Sequence, residues 1–128
     1  MSYYFSKTVS APFNDVVARV RVALAARGFG VLTEIDVAAV LKAKIGADMA
    51  PYLILGACNP AFAHRALLAE NKIGTMLPCN VVVREAGRGE VEIAAVDPVA
   101  SMQAIENPNL AAIAGEVQGQ LREAVAAA

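Results

Sequence analysis

The sequence is poor in the residues that usually carry chemistry. It has one histidine and two cysteines in 128 residues, with neither a CxxC pair nor an HExxH segment, so no metal signature is present and no metal is expected. No uninterrupted apolar stretch approaches the roughly 20 residues that a membrane-spanning helix needs. Eleven Lys and Arg against twelve Asp and Glu give a net charge of -1. The basic residues are scattered, which leaves no electrostatic footprint for nucleic acid. A nucleophile elbow and a phosphate-binding P-loop are both missing. Gly28-Phe29-Gly30 lies between a helix and a strand, the wrong order for a dinucleotide fingerprint. Nucleotide chemistry is therefore not expected, and no cofactor is suggested.

Linkers, low-complexity tracts and charge runs are also lacking, and the length suits a single domain spanning residues 1–128. The first ten residues, MSYYFSKTVS, show no basic segment, apolar core and cleavage site of a signal peptide. A cytoplasmic location is the expectation, and in a reducing compartment the cysteines are read as free thiols. What the chain has in abundance is apolar side chains, 57% of residues with a mean hydropathy of +0.49. A small domain so composed has surface to cover, and a homodimer covers it.

The chain is organised around Tyr52 to Pro60, YLILGACNP, and its echo Leu77 to Val83, LPCNVVV. Tyr52 to Leu55 is a short apolar run after a proline, which predicts a strand buried on both faces. Gly56 and Ala57 let the backbone approach a neighbour. Asn59 suits an N-cap and Pro60 a first helical position, so a helix is predicted from Pro60 to about Ala69. Upstream, a strand at Tyr3–Val9 leads to a helix on Phe13, Val16, Val17, Val20 and Leu24 that stops at Gly28. Val31–Ile35 is a second strand, and Asp36 caps a short helix from Val37 to Ile45. Downstream, Cys79–Glu85 and Glu90–Val96 form a hairpin across Ala86-Gly87-Arg88-Gly89, and Asp97-Pro98 ends it. Leu110, Ile113, Val117, Leu121 and Val125 lay one face of a final helix across the sheet.

Six residues are candidates for a site. Cys58 precedes a helix N-terminus, where the dipole favours a thiolate; Cys79 begins the next strand, and antiparallel pairing would set the two thiols at one end of the sheet. Both also read as small core hydrophobes. Asn59 is a cap or a ligand group, while Asn80 has no helix after it and its role stays open. His64 is a solvated surface residue or a ligand. Glu34 alternates onto the face of Leu32, as a plain ion pair with Lys42 or Lys44 or, if buried, as a functional carboxylate.

The run GFGVLTEIDV, then LKAKIG, YLILGACNP, IGTMLPCNVVV and Asp97-Pro98, in that order, resembles the family known as domain of unknown function 302 over nearly the whole chain. The resemblance implies a single α+β domain with a bent, mainly antiparallel sheet and a long C-terminal helix, similar to the TATA-binding-protein-like fold, and a homodimer. It implies no activity and no catalytic residues. Two functions follow as expectations: a non-catalytic homodimeric binding or structural domain with a small-ligand pocket beside Cys58 and Cys79, or a thiol-based redox protein using that pair.

Overall fold

A computed structural model describes residues 2–128. Strand β1 (Tyr4–Ser10) passes through Pro12 into α1 (Phe13–Ala26), which buries Val16, Val20, Ala23 and Leu24 along one stripe. The helix closes at Gly28, whose φ of 81° only glycine adopts freely. There the amides of Gly28 and Phe29 donate to Ala25 and Leu24 carbonyls, each at 3.0 Å, in a Schellman-type end that turns Phe29 into the core. β2 (Gly30–Asp36) and α2 (Val37–Ile45) follow, the helix capped by Asp36 accepting from the Ala39 amide and stopped at Gly46 with φ 69°. β3 (Tyr52–Cys58) runs into α3 (Pro60–Ala69). After a 3₁₀ turn at Ile73–Met76 come β4 (Cys79–Gly87) and β5 (Glu90–Val96). Last are a four-residue α4 (Pro98–Ser101) and the long α5 (Pro108–Ala127).

The boundaries of α2, α3 and β5 are those the sequence predicts, and β3 carries the Tyr52 to Leu55 run on to Cys58. β1 lies one residue later. In the hairpin β4 continues to Gly87, with a bulge between Glu85 and Gly87, so only Arg88-Gly89 form the turn and Gly89 takes a φ of 75°. Asp97-Pro98 ends β5 and also begins α4, because the Asp97 carboxylate accepts from the Val99 and Ala100 amides. The same carboxylate receives Gln118 Nε2 at 2.9 and 3.0 Å, which fastens α4 to α5 and satisfies the one buried charged group among the described residues.

The five strands form a single antiparallel sheet in the order β1-β5-β4-β3-β2, and bulges in β2 and β4 bend it. One face packs against the helices. Its residues in register, Leu53 and Val83, Leu55 and Val81, Ala57 and Cys79, Val83 and Ile93, are buried, and all but Leu53 join α1 and α5 in one core. The opposite face consists of half-exposed or exposed residues apart from Gly56. The reading of β3 as buried on both faces is therefore corrected: Leu53, Leu55 and Ala57 are covered, while Tyr52 and Ile54 are only half-covered. An apolar run hides this because its alternate residues are apolar whether or not a layer covers them.

Candidate functional site

Where β3 meets α3, the Asn59 side chain accepts from the Phe62 amide at 3.4 Å, and Pro60 occupies the first turn. The cap orients α3 so that Phe62, Ala63 and Ala66 face α5 across a cavity. From the other side β4 begins opposite β3, with Cys79 in register with Ala57, one residue from Cys58. Asn107 closes the frame: its amide nitrogen donates to the Ala69 carbonyl at 2.8 Å while its oxygen caps α5. The space between them is about 40 Å³, walled by Phe29, Phe62, Leu77, Met102, Leu110 and Ile113, with Cys58, Asn59 and Cys79 as its polar edge.

The thiols differ in surroundings. Cys58 is half-exposed and Cys79 is buried. Burial pushes the Cys79 thiol up to about 11, and the neighbouring Cys58 adds in the same direction. At neutral pH Cys79 is thus held as the neutral thiol, a small hydrophobe with a weak donor.

Gly56 explains a close approach on the other side of β3. A β-carbon there would collide with Thr33 Oγ1 and lie 2.7 Å from Pro78 Cγ, so the glycine lets the Leu77-Pro78 corner settle on the strand. The peptide bond between those two residues is cis. That corner also bounds a second, open groove of about 620 Å³ on the helix-free face. This face is laid in rungs, Tyr52, Arg84, Glu92 and Thr8 in one and Ile54, Val82, Ala94 and Ser6 in the next; of these Tyr52, Arg84, Glu92, Val82 and Ala94 line the groove. Arg84 Nε donates to Glu92 Oε1 at 2.7 Å. All three tyrosines of the chain, Tyr3, Tyr4 and Tyr52, line this groove.

The six sequence candidates thus separate. Cys58, Asn59 and Cys79 meet at the cavity. Asn80, on the alternate residue of β4, is exposed and lines the groove instead. His64 is exposed on α3 and lines neither space. Glu34 pairs with Arg21 of α1 at 2.9 Å, not with Lys42 or Lys44; Lys42 is engaged by Asp48 at 2.8 Å. The irregularity between Val31 and Thr33 sets Glu34 opposite Leu55, on the helix-facing side, which brings it under α1. Among the described residues no group of three His, Cys, Asp or Glu side chains is placed to hold a metal ion, and no helix is long and apolar enough to cross a membrane. The cavity's apolar walls and the Arg84–Glu92 pair carry no sequence motif. Their only signals are the phase of alternation in β4 and β5 and the pairing of that hairpin.

Fold and site together define a two-layer α+β domain: helices on one face of an antiparallel sheet and a small apolar cavity at one strand end. Residues 5–128 match the family model described as Domain of unknown function DUF302, and the chain belongs to that family. It is similar to a solved structure described as an uncharacterized conserved protein DUF302 from Bacillus stearothermophilus, with 30% identity and a TM-score of 0.91 over 98% of each chain. No curated protein matches the sequence.

Proposed function

We propose that this is a non-catalytic, homodimeric binding domain of the cytoplasm whose ligand is a small apolar molecule held in the cavity beside Cys58 and Cys79. The observation that carries this reading is the cavity itself. Interiors pack with few voids larger than a water molecule, yet about 40 Å³ stays open here, where the two cysteine segments converge. A water requires two or more polar partners; this wall offers mainly phenyl, leucyl and methionyl surface. A ligand of a few non-hydrogen atoms fits the space. Phe62, under the Arg65 guanidinium at 5.6 Å, is the side chain that would move for a larger one. Xenon or benzene titration followed by methyl NMR tests this, with saturable shifts expected at Ala57, Ala66 and Ala114. Shifts spread over the surface, or none, would overturn it.

A second reading, thiol redox chemistry, is favoured by one observation. Register sets the α-carbons of Cys58 and Cys79 about 6 Å apart by strand geometry, within disulfide reach, and both thiols edge the cavity. Against it stands the neutral, buried Cys79 thiol, a poor attacking group. Iodoacetamide labelling of the native protein against pH separates the readings: sluggish labelling at neutral pH supports the binding domain. Rapid labelling, with a Cys58–Cys79 crosslink in tryptic peptides after peroxide, supports the redox protein.

A further inference from the structure

We infer that two copies of this chain associate through the helix-free face of the sheet, with the twofold axis parallel to the strands and running between β4 and β5. This rests on the homodimer reading above and adds where and how the copies meet. Three observations carry it.

The first is area. The chain exposes 7214 Å², whereas a monomer of 13.3 kDa is expected to expose about 6,450 Å². The excess is close to the roughly 800 Å² that each partner buries in a standard interface.

The second is composition. Exposed apolar residues elsewhere lie on α1 (Val22), on α3 (Leu67, Leu68) and along β2 and α2 at the sheet edge (Leu32, Ile35, Val40, Ile45). The bare sheet face instead gathers the three tyrosines with Met76, Val82 and Ala94 around one groove, and Tyr3 is 71% exposed. Tyrosine and methionine are enriched in interfaces, and exposed rim residues such as Tyr3 and Met76 are the volume that fills a facing groove.

The third is self-complementarity, which an interface between identical copies requires. Rotation about the inferred axis exchanges β4 with β5 and β3 with β1. It sets Arg84 over Glu92 of the partner subunit, and Glu92 over the partner's Arg84. It also sets Val82 over the partner's Ala94, Tyr52 over the partner's Thr8, and Tyr4 over the partner's Gly56, where the Pro78 ring lies. In these rungs each large residue meets a small one and each charge its opposite. Among the described residues the Arg84 guanidinium is engaged through Nε alone, which leaves both Nη groups as donors across the interface. A face of one charge sign would repel its copy; the central rungs carry one Arg and one Glu per copy, with Glu90 at the strand end beyond them.

The test is a charge exchange. Arg84→Glu makes the rung doubly acidic and Glu92→Arg makes it doubly basic, so each variant should repel itself and attract the other. Light scattering and sedimentation should show a wild-type dimer, each variant alone dissociating roughly tenfold or more readily, and dimer restored in a 1:1 mixture. Restoration also proves that both variants fold. Ala94→Arg, which puts a long charged side chain at the centre of the face, should give a monomer with unchanged circular dichroism. A wild-type dimer unaffected by all three substitutions would overturn this face and leave the homodimer standing. A wild-type monomer at about 100 µM, well above the Kd of a stable dimer, would overturn both. So would a monomer that retains a small molecule in the groove and loses it on Ala94→Arg.

Discussion

The two faces of the sheet share their strands and backbone hydrogen bonds, and differ only in which alternate residue each presents. The helix-facing side of β3, β4 and β5 is Leu53, Leu55, Ala57, Val81, Val83, Val91, Ile93 and Ala95, all nearly inaccessible. The other side of the same strands mixes Tyr52, Ile54, Asn80, Val82, Arg84, Glu92 and Ala94, none of them fully buried. On the first face energy comes from packing, which is left incomplete at the cavity beside Cys58 and Cys79. On the second little is buried within the chain, so its side chains are free to contribute to contacts outside it. Neighbouring residues of one strand should therefore respond very differently to the same substitution.

The largest difference should appear at Leu55 and Ile54. Leu55 is fully buried, and truncation to alanine removes packing and leaves a cavity, costing about 2–5 kcal/mol. Ile54→Ala, half-exposed on the groove side, should cost less than half as much. Urea unfolding in dilute solution, where association adds least, checks the pair; equal losses would mean that the faces are not distinct in the single chain.

The pattern of legible and hidden features follows from range. Asp36, Asn59, Pro60, Gly28 and Gly46 act on backbone groups within a few residues, so the ends of α1, α2 and α3 could be read directly from the sequence. The hairpin was readable for the same reason. Strand order and register join residues distant in sequence, and these decide whether Tyr52 and Ile54 are covered and that Asn80 faces away from the cavity. Glu34 meets Arg21, thirteen positions earlier, only because α1 crosses back over β2. Of the site, the cysteine pair and its cap were visible as types in a pattern. The walls came from five separate segments whose convergence is a property of the fold.

Next in size is the pH response of Cys79, which marks the helix face as water-poor even at its edge. The folded thiol titrates at about 11 against an ordinary value of 9.0. Between those values the unfolded chain has lost the proton and the folded chain keeps it, so the unfolded state binds fewer protons and stability falls as pH rises. Stability from this group is intact below pH 9 and lost progressively towards pH 11, by up to roughly 2–3 kcal/mol. Other groups titrate in that range, so the readout is the difference between wild type and Cys79→Ala: the variant should decline less steeply from pH 9 to 11. Parallel curves would show that the thiol reaches water.

Gly56 tests the groove side of β3, where a side chain is forbidden rather than merely tolerated. Gly56→Ala drives a methyl into Thr33 Oγ1 and the Pro78 ring and should destabilise by about 1–3 kcal/mol. Thr33→Ala removes one of the two obstacles, so the double variant should recover part of the loss in a double-mutant cycle. Strict additivity would mean that the Leu77-Pro78 corner alone sets the limit.

The smallest effect is expected where the helix-facing side itself runs out, at Glu34 on the edge strand. Its carboxylate and the Arg21 guanidinium are 2.9 Å apart with side chains 46% and 41% exposed, so water screens the pair and competes for both groups. Exposed pairs of this kind contribute about 0.2–1 kcal/mol. A double-mutant cycle with Arg21→Ala and Glu34→Ala should return a coupling in that range that fades between 50 mM and 1 M salt, as the screening length contracts from over 10 Å to about 3 Å. A coupling well above 1 kcal/mol that persists in salt would mark Glu34 as desolvated, and would extend the closed character of the helix face to the sheet edge. The fading outcome confines that character to β3, β4 and β5, and leaves Glu34 as a solvated tie between α1 and β2.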